Sequence, residues 1–157
     1  CGKRVLDYLN MVNDQNHQIS VKLSAKMDKT AQAVERLQEE NFRLKGQVGQ
    51  LVDDMCRKEA ERYAGSGSVL IFMDGMDADS VRKLADAVTQ TCQGCCAVFS
   101  GNADGSYKYA MGEKDGDLRQ FTKEMNAKLN GRGGGKPFFV QGSVQASEKE
   151  IRNFFEQ

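Results

Sequence analysis

Tryptophan is absent from the 157 residues, and proline and histidine occur once each. No run of 18 apolar residues exists, so nothing in the sequence is expected to span a bilayer. Charge of one sign is missing too: 22 Lys and Arg balance 22 Asp and Glu. That neutrality excludes a broadly cationic polyanion binder and confines any nucleic-acid site to a local patch. A hydrophobic share of 39% with 28% charged residues is too apolar for a disordered chain and too charged for a membrane protein. The length suits one domain with an appendage. Catalysis finds little support, because the one histidine, His17, sits in a helical stretch and reads as a solvated surface residue.

Cysteine is present five times, in an arrangement unlike a disulfide framework. Cys92, Cys95 and Cys96 crowd into five residues, Cys56 stands alone on a helix, and Cys1 opens the chain. An odd number with two adjacent members in a strand predicts reduced thiols and a cytoplasmic location. Cys92 and Cys95 have the spacing of half a zinc site, but no second ligand pair follows, and the pair runs into a strand rather than a helix. Small buried side chains are the expected reading. Asp74, Asp77 and Asp79 have a spacing that could hold a metal, but a turn and a helix cap explain them more simply. Cys1 admits two readings, an acylated residue or the boundary of a piece of a longer protein, and the second is favoured.

Composition changes near residue 65 and predicts two regions, 1–64 and 65–157. Within 1–64 an apolar stripe runs Val5, Leu9, Val12, Asn16, Ile19, Leu23. A second runs Val34, Leu37, Asn41, Leu44, Val48, Leu51, Met55. Both are heptad seams interrupted by an Asn, which specifies alignment at some expense of stability. Gly46 and Gly49 fall outside the second seam and weaken the helix by roughly 1 kcal/mol each. Helices are expected at 3–23 and 28–63, with a turn at 24–28 and Asp28 as the cap. The second would be ~54 Å long at 1.5 Å per residue. A short turn between seams favours an antiparallel hairpin; the rival is a parallel dimer of the second helix, aided by Glu40 and Lys45.

From Gly65-Ser66-Gly67 onward strands and helices alternate. Strands are expected at 69–73, 95–99, 106–111 and 137–142, with a turn over Asn102 to Gly105. Helices are expected after Asp77, at 117–129, and after the Ser147/Glu150 capping box. The fold class is therefore α/β, a small mixed sheet flanked by helices and preceded by a long helical hairpin.

The segment Gly131-Arg132-Gly133-Gly134-Gly135-Lys136-Pro137 holds four glycines in five positions. Such a run is expected to form a loop whose amides cradle an anion, although as a plain helix-to-strand connector it would have no ligand. It is not a Walker A loop, because no Ser or Thr follows Lys136. From Arg119 to Lys136 five basic residues (Arg119, Lys123, Lys128, Arg132, Lys136) face one acid, Glu124. A local excess of four positives beside exposed amides points to phosphate backbone.

The glycine run, continued by Val140-Gln141-Gly142, resembles the signature of the DHH-associated domain. That domain closes alanyl-tRNA synthetases, where it is called C-Ala, and the long AlaX-type alanyl-tRNA editing proteins. Cys1-Gly2-Lys3-Arg4-Val5-Leu6-Asp7-Tyr8 resembles the stretch that leaves the editing domain in AlaX-type proteins. The resemblance implies a non-catalytic tRNA-binding and dimerisation module of a protein that hydrolyses mischarged seryl- or glycyl-tRNA(Ala). Zinc is implied for an editing domain outside this chain, and no cofactor within it. The implied partners are tRNA, most simply tRNA(Ala), and a second copy of the chain. The implied contact residues are Gly131, Gly133, Gly134, Gly135, Gln141 and Gly142. Where DHH phosphoesterases carry a phosphate-contacting His, this chain has Lys136. The alternatives are a purely structural oligomerisation module and the substrate-binding lobe of such a phosphoesterase.

Overall fold

The computed structural model describes residues 2–101 and 105–156. Elements follow in the order α1 (Gly2–Leu23), α2 (Thr30–Arg62), β1 (Val69–Asp74), α3 (Ala78–Thr91), β2 (Cys96–Gly101) and β3 (Ser106–Gly112). Then come α4 (Arg119–Lys128), β4 (Arg132–Lys136), β5 (Phe139–Gln145) and α5 (Glu148–Phe155). Internal contacts divide the chain into two units, one up to Gln50 and one from Leu51 onward. None of the described helices is long and apolar enough to cross a membrane.

In the first unit the two expected helices are present, joined through a turn that differs in detail from the expectation. Met27–Lys29 form a single 3₁₀ turn with Asp28 inside it, so Asp28 does not cap α2. Thr30 Oγ1 instead donates to the Met27 carbonyl at 3.1 Å and to Asn16 Oδ1 at 3.3 Å. Asn16, expected to set register deep in a seam, thus binds across the turn. Elsewhere the seams stay open: Val5, Leu9, Val12, Ile19, Val34, Leu37, Leu44 and Val48 are all exposed.

The second unit is a five-stranded sheet in the order β1-β2-β3-β5-β4. β1 and β2 are parallel and joined through α3; every other pairing is antiparallel. Alternation along the strands sends side chains to opposite faces. One face carries Ile71, Cys96, Val98 and Ala110, covered by Val81, Leu84, Ala85 and Val88 of α3 and by Cys56 and Ala60 of α2. The other carries Ala97, Phe99, Tyr109, Met111, Val140 and Val144, covered by Leu118, Met125 and Leu129 around α4 and Ile151 of α5. Met55, expected in the α2 seam, packs against the first of these clusters instead.

Helix ends follow local chemistry. Asp77 Oδ1 accepts from the Ser80 amide at 2.8 Å and caps α3. Hydrogen bonding from Ser80 lowers the Asp77 pKa. The Ser147/Glu150 capping box starts α5 as expected, with the Ser147 amide donating to Glu150 at 2.7 Å. Three of the four residues of the expected turn at 102–105 lie outside the described residues.

Candidate nucleic-acid interface

The glycine run is a strand, not a loop. Arg132–Lys136 pairs with β5 along its whole length, with Gly133 opposite Gly142 and Gly135 opposite Val140. Among described glycines only Gly65, Gly75 and Gly105 have left-handed φ, so no nest of converging amides forms here. Pro137 and Phe138 make the two-residue connection to β5, and pairing across it overrides the low strand propensity of glycine.

Why glycine is needed follows from one row across the sheet. Phe72, Phe99, Tyr109, Gly142 and Gly133 stand side by side on the α4 face. The rings step across it, with centroids 5.6 Å apart for Phe72 and Phe99 and 5.8 Å for Phe99 and Tyr109. Tyr109 then reaches over the glycines: a Cβ on Gly142 would stand 2.8 Å from its hydroxyl and 2.6 Å from the Gly133 Cα. A Cβ on Gly133 would likewise meet that hydroxyl. Tyr109 Oη donates to Asn126 Oδ1 at 3.1 Å, and Asn126 Nδ2 donates to the Gly133 carbonyl at 3.3 Å. The Asn126 carbonyl accepts from the Gly131 amide at 2.7 Å. Burial raises the Tyr109 pKa, the bond to Asn126 opposing it. The hydroxyl remains a donor that ties β3 to α4, and Asn126 in turn ties α4 to β4.

β4 is an edge strand exposed at all five residues, and a groove runs along each side of it. Towards α4 the groove holds about 440 Å³ and is lined by Arg119, Lys123 and Gly133 to Gly135. Towards α3 it holds about 690 Å³ and includes Gly134, Gly135, Lys136, Phe138 and Gln141. The expected basic cluster is therefore divided. Arg119 is held by Asp117 at 2.6 Å, and that bond keeps the Asp117 carboxyl down at about 2. Lys128 lies 5.3 Å from the Phe154 ring centroid and lines neither groove. Arg132 stands exposed at the start of β4, and Gly142 lies opposite Gly133 in β5.

Sequence reasoning missed Phe138, Gln90 and Glu113, which share the α3-side groove with Lys136 and Gln141. An aromatic beside the only proline, in a turn, was the available signal for Phe138. Gln90 and Glu113 carried none, being brought to β4 by tertiary pairing alone. Among the described cysteines, Cys56, Cys92 and Cys96 are buried and Cys95 is half-buried; Cys95 and Cys96 are pushed up to about 12, chiefly by burial. Among the described residues no group of three His, Cys, Asp or Glu could hold a metal ion.

Residues 66–157 match the DHHA1 domain family. The chain belongs to that family. Over 94% of its length it is 23% identical to an alanine–tRNA ligase of Psychrobacter sp. strain PRwf-1, covering 18% of that protein. A 79-residue match to the alanine–tRNA ligase of Acholeplasma laidlawii is 30% identical, spanning 50% of this chain and 9% of that one. The chain thus spans less than a fifth of these relatives. Among solved structures, the C-Ala domain of Aquifex aeolicus alanyl-tRNA synthetase superposes with a TM-score of 0.50 at 18% identity. That likeness covers 59% of this chain and 92% of the C-Ala chain, and shows a shared fold. The DHHA1 domain here is therefore C-Ala-like, preceded by a long helical arm.

Proposed function

We propose that this chain is a non-catalytic tRNA-binding module of an alanyl-tRNA synthetase-related editing protein, working in the cytoplasm. The observation that carries the reading is β4, an exposed edge strand of bare glycine backbone flanked by Arg132 and Lys136. Phosphate contacts of this kind position RNA without reading its sequence, and they release counterions. Hydrolysis of mischarged seryl- or glycyl-tRNA(Ala) belongs, in this reading, to a zinc-bearing domain of the parent protein. The relatives' names and the shared C-Ala fold support RNA as the ligand class over a phosphoesterase substrate. Replacing Arg132 and Lys136 together by Ala should weaken tRNA binding and lower the slope of log affinity against log salt by roughly 1.4 to 1.8 for two phosphates. Unchanged affinity in that variant removes β4 from the binding site.

The same module is proposed to form a homodimer through α2. Support comes from the open seam of Val34, Leu37, Leu44 and Val48, with Val48 59% exposed, and from Phe42 beside it at 82%. Contiguous apolar surface of this kind marks an interaction site. Sedimentation should report a dimer for the native chain and a monomer for the Leu37→Lys, Leu44→Lys double variant. A native monomer at tens of micromolar overturns the dimer.

A further inference from the structure

The two grooves beside β4 differ in chemistry, and the difference assigns them different portions of an RNA strand. The α4-side groove offers Lys123 and the Asp117–Arg119 pair around glycine backbone, with no aromatic side chain. The α3-side groove is lined by Phe138, which is 49% exposed, and by Phe139. Gly134 and Gly135, without side chains, line it together with Gln141 of the neighbouring strand. Gln90, Asp86 and Glu113 line it as well. The cations there are unevenly available. Arg82 is bound to Asp79 at 2.7 Å, and Lys114 donates to the Gln90 carbonyl at 2.8 Å. Lys136 stands over Phe138, its Nζ 5.7 Å from the ring centroid.

Carboxylates and side-chain amides suit the amino and imino groups of a base edge, while the lysines of the same lining suit the phosphate that accompanies it. Bare glycine backbone and an exposed ring admit a planar π-face, and a volume of about 690 Å³ is in the range that holds small ligands. We infer that the α3-side groove takes an unpaired RNA base stacked on Phe138, with Lys136 holding its phosphate at the mouth. This rests on the RNA-binding reading above and adds that the site selects unstacked nucleotides. Base–aromatic stacking tolerates any sequence, so the preference is for single strands rather than for a particular base.

The test uses the full 157-residue chain and a short single-stranded RNA carrying one 2-aminopurine, whose fluorescence is quenched by stacking. Binding should quench it in the single strand and not in the matching duplex. Phe138→Ala should abolish the quenching and weaken single-strand affinity by at least about five-fold, the low end of measured base stacking, with the salt slope unchanged. Phe138→Tyr should retain both. tRNA bound normally with no quenching, or with Phe138→Ala indistinguishable from the native chain, overturns the base site and leaves the phosphate reading standing. No binding of tRNA or single strand overturns both. Displacement by adenosine monophosphate as effective as by the RNA strand would make a free nucleotide the ligand and overturn the strand as its source.

Discussion

Gly133 and Gly134 are adjacent glycines under opposite constraints. A Cβ on Gly133 runs into the Tyr109 hydroxyl and lies 2.7 Å from the Gly142 Cα, whereas one on Gly134 meets nothing within 4 Å. Overpacking of that kind typically destabilises by about 1–3 kcal/mol. Gly→Ala at a compatible extended position instead reduces the freedom of the unfolded chain and stabilises by about 0.4–1 kcal/mol. Gly133→Ala should therefore lower the urea midpoint and Gly134→Ala should leave it level or raise it, with m unchanged in both. Equal losses from the two would show that glycine is required along β4 for its backbone alone and not for the passage of Tyr109. The sequence shows four glycines of equal standing, and only the cross-sheet row from Phe72 to Gly133 separates them.

Elements whose signals are local were legible, and elements made by partners were not. The α5 start is an example of the first: Ser147 and Glu150 are three residues apart, and their reciprocal bonds need nothing beyond the first turn. Breaking it has a consequence through packing, since α5 places Ile151 in the core and Phe155 edge-on to Phe99, centroids 5.8 Å apart. Ser147→Ala should destabilise by about 1 kcal/mol in equilibrium urea unfolding. A shift below a few tenths would mean that packing of Ile151 and Phe155 fixes α5 without its cap. Glycines 133–135 illustrate the second kind. Their strand is made by register with Gln141 and Gly142 across a two-residue turn, and period-two patterning cannot appear where there are no side chains. The basic residues of α4 and β4 were legible as a charge excess in sequence, but Lys136 lines the groove on one side of β4 and Arg119 and Lys123 the groove on the other. Gln90 at the end of α3 joins Gln141 of β5 in one groove, a meeting of residues far apart in the chain that no local pattern announces.

At the scale of the molecule, composition and contacts draw the domain boundary in different places. Glycine content rises near residue 65, yet the last turns of α2 lie within the α/β unit. Cys56 and Ala60 are buried in its core, with Val52, Met55 and Tyr63 against it. Polar ties reinforce them: Thr91 Oγ1 donates to the Ala60 carbonyl at 2.8 Å, and Lys83 pairs with Asp53 at 2.9 Å. The pair is exposed and adds little, so the burial decides the outcome. A chain beginning at Leu51 keeps Cys56 and Ala60 in that core, while one beginning at Gly65 loses them. Losing the apolar contact of those α2 side chains should cost on the order of 3 kcal/mol. The longer fragment should melt as a single cooperative unit; the shorter one should melt well below it and bind a hydrophobic dye. Equal melting temperatures would place the physical boundary at the glycines and make the end of α2 dispensable to the DHHA1 core.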